Sequence, residues 1–239
     1  MRHRPLVVAI NGILTPPSGV RWVDYFQAYC DAHDIPCDTR EYMAGPFPIW
    51  NTFVRNRRQA ASLARELLLY QGVATGMREI SLVAHSNGCD IALRAARLLN
   101  ARGIPIHRLV LLAAVTDPDV HNSGVLPAVE NGLIGAAYAY CSLADPVLRI
   151  PICVKWPYRS LGITGWSLNQ APYQSSAIVT RQFRIFGHGD YFNGVNRVDI
   201  FDQIRKDIDL CLESSQQSPD VCGAGSAQSP AGSTPKSAG

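Results

Sequence analysis

The chain is predicted to fold as an α/β protein. We expect a mostly parallel sheet of about six strands with helices on both faces, followed by a disordered C-terminal tail. Three observations lead there. Compact apolar runs at residues 6–10, 80–84 and 106–115 read as strands buried on both faces. Longer segments between them repeat their apolar residues every three to four positions, as on one face of a helix. From Ser214 onward serine, glycine, alanine, glutamine and proline dominate, and Val221 is the only branched aliphatic. Such a segment cannot bury enough apolar surface to offset the entropy of ordering it. Residues 1–213 are therefore expected to form one domain and residues 214–239 the tail.

The elements follow in order. Residues 6–10 make the first strand, which runs into Asn11-Gly12 and a loop rich in proline and glycine at 15–19. Val23, Phe26 and Cys30 pattern a helix over 20–33, and 37–43 is a second strand. A loop of unusual apolar weight, 45–50, precedes a long helix over 52–70. Its Arg55, Arg57, Arg58 and Arg65 read as a solvated basic face rather than a phosphate site.

The strand at 80–84 meets a helix whose Ile91, Ala92, Ala95, Leu98 and Leu99 share one face. The run at 106–115 is the next strand, broken by Thr116-Asp117-Pro118-Asp119. A helix is expected within 125–133 and a strand over 136–142, which leads to Asp145-Pro146. Residues 147–180 look irregular. A last strand at 182–186 ends at Gly187-His188-Gly189-Asp190, and a helix over 198–212 carries Phe201, Ile204, Ile208 and Cys211.

Composition narrows the function classes. At 239 residues, 47% of them hydrophobic and 17% charged, the chain can build a substantial core. A net charge of +3 is too small to point to nucleic acid. No apolar run approaches the ~18 residues of a membrane span, so no stable membrane insertion is expected. The seven cysteines form neither a CxxC nor a Cys/His pair at zinc-ligand spacing. No metal and no organic cofactor are implied. Free buried thiols fit a reducing compartment, so the expected location is cytoplasmic. The basic start Met1-Arg2-His3-Arg4 is not read as an export signal, because Asn11-Gly12 interrupts the apolar stretch and no cleavage site follows.

The chemistry centres on Ala84-His85-Ser86-Asn87-Gly88, which joins the third strand to its helix. A turn this sharp pushes its central side chain out of the sheet and needs small residues on either side. Small-x-Ser-x-Gly between a strand and a helix is a nucleophile elbow. Ser86 would then sit at a helix N-terminus, where the N–H of Asn87 can hold an oxyanion.

A serine needs a base, and the base an orienting acid. His188, between Gly187 and Gly189 just after a strand, is the best base; His85 is expected to pack or to orient the turn. Asp145 is the best acid, in competition with Asp117 and Asp119 one strand earlier. Asp190 is read as a helix cap. The second oxyanion donor is expected after the first strand, at the N–H of Ile13, with Gly12 as the lesser choice.

The elbow, Asp145 within Ala-Asp-Pro-Val and His188 within Gly-His-Gly-Asp together resemble the α/β-hydrolase superfamily over residues 6–212. The resemblance implies Ser86 as nucleophile, His188 as base, Asp145 as acid, and N–H groups of Asn87 and Ile13 as the oxyanion hole. The chain departs from fuller members in lacking the hairpin that precedes the oxyanion-loop strand, which suggests a minimal version. It also carries Asn11-Gly12 where many members have His-Gly.

The expected activity is that of a serine esterase or lipase, cleaving a small-molecule carboxylic ester through an acyl-enzyme. A thioesterase, an amidase or an acyltransferase would use the same residues, and a non-catalytic hydrolase-fold binding protein is the rival of another class. Phe47, Trp50, Trp156 and Trp166 sit in loops that can roof the site. They would favour an apolar acyl or alcohol group, or else they pack the loops.

Overall fold

A computed structural model describes residues 5–12, 21–42, 50–73, 79–149 and 160–209. The tail at 214–239, the loops at 15–19 and 45–49, Ile13, Phe47 and Trp156 lie outside the described residues, as does the side chain of Trp50. The elements are β1 Leu6–Ile10, α1 Trp22–Ala32, β2 Cys37–Arg40, α2 Trp50–Val73, β3 Ile80–His85, α3 Gly88–Asn100, β4 Ile106–Leu112, α4 Val125–Glu130, β5 Ile134–Ser142, α5 Pro146–Arg149, α6 Leu161–Thr164, β6 Ser167–Leu168, β7 Ala171–Pro172, β8 Ile178–Phe183 and α7 Gly194–Asp209. A 3-10 turn, Asp190–Phe192, precedes α7.

Six strands form one parallel sheet in the order β2-β1-β3-β4-β5-β8. Alternate residues of each strand face opposite layers. Val8, Ile10, Leu82, Ala84, Leu109 and Leu111 point to one layer, with Leu63 and Leu67 of α2 and Ile91 and Leu99 of α3. Val7, Ala9, Val83, Val110, Tyr138 and Tyr140 point to the other, with Phe26 of α1 and Phe201 and Ile204 of α7. Because both faces are covered, β1 is continuously apolar and β3 and β4 are mostly so, with Ser81, His107 and Arg108 as interruptions near their starts, which is why they were readable as runs. Burying each such Leu or Ile stabilises the fold by about 1.5–3 kcal/mol.

Chain order reverses at β1. The chain goes from β1 outward to β2, then returns past β1 to β3. In an open parallel sheet the carboxyl ends at such a switch leave a crevice for ligands. Asn11-Gly12 and Ser86 both stand there.

The structure corrects several boundaries. The last strand is Ile178–Phe183 rather than 182–186. It is an edge strand paired only with β5, so Thr180, Arg181 and Gln182 are partly exposed and polar and dilute the apolar signal. The strand expected at 106–115 stops at Leu112, because Ala113 takes a left-handed φ of 44°. The segment expected to be irregular contains α6 and the β6–β7 hairpin. The turn of that hairpin places Asn169 and Gln170 at positive φ, as two-residue hairpin turns require. Trp166 does not roof the site: it is 1% exposed and packed in the layer that holds α2 and α3. Arg57, Arg58 and Arg65 form an exposed face of α2. No described helix is long and apolar enough to cross a membrane.

Candidate active site

Ser86 sits on the bend between β3 and α3 with a left-handed φ of 56°. For a residue with a side chain that conformation costs about 1–3 kcal/mol, and neighbouring contacts hold it. The Ser86 N–H donates to the carbonyl of Leu112 at 2.9 Å, and the Ser86 carbonyl accepts from Cys89 N–H at 3.1 Å. Two glycines let β1 press against the bend. A Cβ on Gly88 would lie 2.7 Å from the carbonyl oxygen of Asn11, and one on Gly12 would lie 2.8 Å from the Cβ of Ser86.

His188 follows β8, on a turn shaped by Asp190, whose carboxylate accepts the Gly187 N–H at 2.6 Å. The Nε2 of His188 lies 2.8 Å from Ser86 Oγ, and its Nδ1 lies 2.8 Å from Asp145 Oδ2. Asp145 is fully buried where β5 gives way to α5. Its other oxygen accepts N–H groups of Val147 at 2.9 Å and Leu148 at 3.2 Å. A buried carboxylate so placed takes a proton-bearing Nδ1 as its partner. Nε2 is then the lone-pair nitrogen that accepts from the Ser86 hydroxyl.

Thus the structure brings Ser86, His188 and Asp145 into one hydrogen-bonded line from three strand ends. It does not bring Asp117 or Asp119 there. Asp117 accepts the Asp119 N–H, and Asp119 accepts N–H groups of His121, Asn122 and Asn169, so both shape the loop after β4. Asn87 is the first residue beyond the bend, and its N–H belongs to the set that has no partner within a helix. The Gly12 N–H is occupied: it donates to the side-chain oxygen of its neighbour Asn11 at 2.9 Å, and the same oxygen accepts Trp22 Nε1–H at 2.9 Å.

Three features escaped sequence reasoning. Asn56, 1% exposed on α2, forms a reciprocal amide pair with Asn87 (2.9 and 3.0 Å) and donates to Asp90 Oδ2 at 2.8 Å. Asn11 uses its side chain to tie the loop after β1 to α1. His85, expected to pack or to orient the turn, also reaches a distant loop, since its Nε2 lies 2.9 Å from the carbonyl oxygen of His188. None of these has a sequence signal: His85 and Asn56 depend on partners 103 and 31 residues away, and Asn11 on an indole of the next element, 11 residues on. Among the described residues no group of three or more His, Cys, Asp or Glu is placed to hold a metal ion.

No family model matches the chain, and no curated protein matches it. Among solved structures, that of an uncharacterised protein from Bacillus cereus superimposes with a TM-score of 0.52 at 12% identity, covering 89% of this chain. The match spans 61% of that protein's own length. The RedJ thioesterase of the prodiginine pathway in Streptomyces coelicolor gives a TM-score of 0.47 at 13% identity over 85% of this chain and 86% of its own. A hyperthermophilic esterase from Pyrobaculum calidifontis gives 0.47 at 13% identity over 87% and 75%. Likeness at these identities concerns fold alone. The parallel sheet, its switch point and the strand–bend–helix at Ser86 are those of the α/β-hydrolase fold.

Proposed function

We propose that the protein is a serine hydrolase that cleaves a small-molecule carboxylic ester through an acyl-enzyme on Ser86. The hydrogen-bonded line from Ser86 Oγ through His188 to Asp145, at 2.8 Å in both links, is the observation that carries this reading. Ser86 Oγ attacks the ester carbonyl carbon while His188 Nε2 takes the hydroxyl proton. Asp145 holds the imidazole in orientation and stabilises its cation. The oxyanion takes a hydrogen bond from the Asn87 N–H; the second donor expected from the sequence, at Ile13, lies outside the described residues. Each such donor is worth about 10²–10³ in rate. Collapse of the tetrahedral adduct expels the alcohol, which leaves with the proton from Nε2. Water then attacks the acyl-enzyme, His188 again acting as base, and the acid departs with Ser86 restored. No step requires a metal or an organic cofactor.

The test is labelling by a fluorophosphonate, which reacts with an activated serine, combined with turnover of p-nitrophenyl and thioester substrates of graded acyl length. The wild-type protein should label, and Ser86→Ala and His188→Ala should not. Asp145→Asn should lower turnover by about 10²–10⁴, while Asp117→Asn stays near wild type. Labelling that persists in Ser86→Ala removes Ser86 as the nucleophile. Thioesters turned over in preference to oxygen esters would reassign the substrate class.

A further inference from the structure

We propose that His85, the residue before the nucleophile, is a positioning residue that aims the catalytic base. This rests on the reading of Ser86 and His188 given above. His85 ends β3, 8% exposed, and its Nε2 lies 2.9 Å from the backbone carbonyl oxygen of His188, 103 residues away. A carbonyl can only accept, so Nε2 carries the proton and donates it. The bond fixes the peptide of the base rather than its ring.

The His188 side chain is already held at both nitrogens, by Asp145 and by Ser86. Those bonds leave the backbone of the loop at 184–189 held only from its own C-terminal side, by Asp190 accepting the Gly187 N–H and by N–H groups of Asp190 and Phe192 donating to the carbonyls of Gly187 and Gly189. That loop hangs between an edge strand and the 3-10 turn, and His188 itself is only partly buried. The His85 bond closes the gap by tying the loop to the strand that carries the nucleophile. Base and nucleophile then share one rigid support.

The surroundings of His85 suit that task. Its ring stands edge-on to Phe192 at 4.9 Å and to Trp22 at 6.4 Å, and it lies 4.9 Å from the His188 ring. Trp22 stacks on Phe192 at 4.7 Å. Trp22 also reaches Asn11, so the same cluster steadies the loop after β1. Burial keeps His85 neutral far into acid, with a pKa of about 3. It therefore adds no cation beside an imidazole that must itself become cationic.

Misplacing reacting groups by about 1 Å costs on the order of 10²-fold in rate, which sets the expected effect. The experiment uses the full chain and four proteins: wild type, His85→Phe, His85→Gln and His85→Asn. Phe keeps the aromatic packing and removes the donor. Gln places an N–H at the reach of Nε2; Asn is one methylene too short.

We expect His85→Phe and His85→Asn to lower kcat and the fluorophosphonate labelling rate by about 10–100-fold, with KM within about twofold. His85→Gln should recover most of the loss. The downfield proton resonance between His188 Nδ1 and Asp145 should be sharp in wild type and the Gln variant and broadened in the other two. Phe or Asn variants as fast as wild type would overturn the inference, as would equal losses for Gln and Asn in proteins with unchanged far-UV circular dichroism. Should His85→Phe fail to fold, the Gln–Asn pair decides the matter. If wild type labels at Ser86 while the four proteins do not differ, this inference alone falls; if wild type fails to label, it falls together with the proposed function.

Discussion

His85 also gives the molecule a pH signature that can be worked out in sign. Burial pulls its imidazole from the usual 6.5 down to about 3, and neighbouring His188 acts in the same direction; the bond to the His188 carbonyl and the Asp145 carboxylate oppose them. The unfolded chain binds this proton near pH 6.5 and the folded one only near 3. Stability from this group is therefore fully present above pH 6.5 and is lost as acid is added between those values. The slope is at most about 1.4 kcal/mol per pH unit. The melting temperature of wild type should fall more steeply than that of His85→Gln between pH 6.5 and about 4. Parallel curves would mean that His85 takes up its proton without opposing the fold.

At the scale of elements, the attachment of β8 and α7 governs whether the proposed base, His188, reaches Ser86 at all. Asp207 of α7 is fully buried and accepts hydrogen bonds from Tyr140 of β5 at 2.6 Å and Gln203 at 3.2 Å. Arg181 of β8 meets the same carboxylate with two nitrogens, Nε at 2.6 Å. This pairing holds the Arg181 guanidinium above its usual range. Arg181 is partly exposed but Asp207 is fully buried, so removing Arg181 takes a charge-assisted partner from a buried carboxylate, at a cost of about 1–3 kcal/mol. Arg181→Met should therefore lower the urea midpoint by a corresponding amount, and a shift under about 0.5 kcal/mol would show that Tyr140 and Gln203 suffice.

Element by element, legibility followed burial. Strand β1 is apolar throughout and β3 and β4 mostly so because helices cover both faces, and α3 could be read from its single apolar stripe. Edge strand β8 began four residues before its expected start because every residue but Ile178 meets solvent at least in part. The bend was readable because small residues at fixed offsets are a local steric requirement. The links from His85, Asn56 and Asn11 were not, because a hydrogen bond to a carbonyl, an amide or an indole of another element imposes no local pattern.

Across the whole molecule, the two apolar layers share one sheet and should open together. Cys30 lies in the layer of α1 and α7, Cys89 in the layer of α2 and α3, and both are fully buried, as is Cys141 of β5. A maleimide pulse read by mass spectrometry should leave all three unlabelled in the native protein. All three should become labelled at one urea midpoint, as a cooperative unit requires. Earlier labelling of Cys30 would show that α1 detaches on its own.

The distance of 102 residues between Ser86 and His188 has a consequence for how the protein comes into being. On a ribosome adding ~5–20 residues per second, the serine is made roughly 5–20 seconds before its partner histidine. In that interval β1, β2 and β3 can already pair, yet the hydroxyl is as inert as any other. On the proposed function, reactivity arises when β8, the outermost strand, is laid against β5 and brings the following loop over the bend. A truncated or stalled chain therefore carries no active serine, and labelling of Ser86 in a translation mixture would count finished molecules rather than synthesised ones.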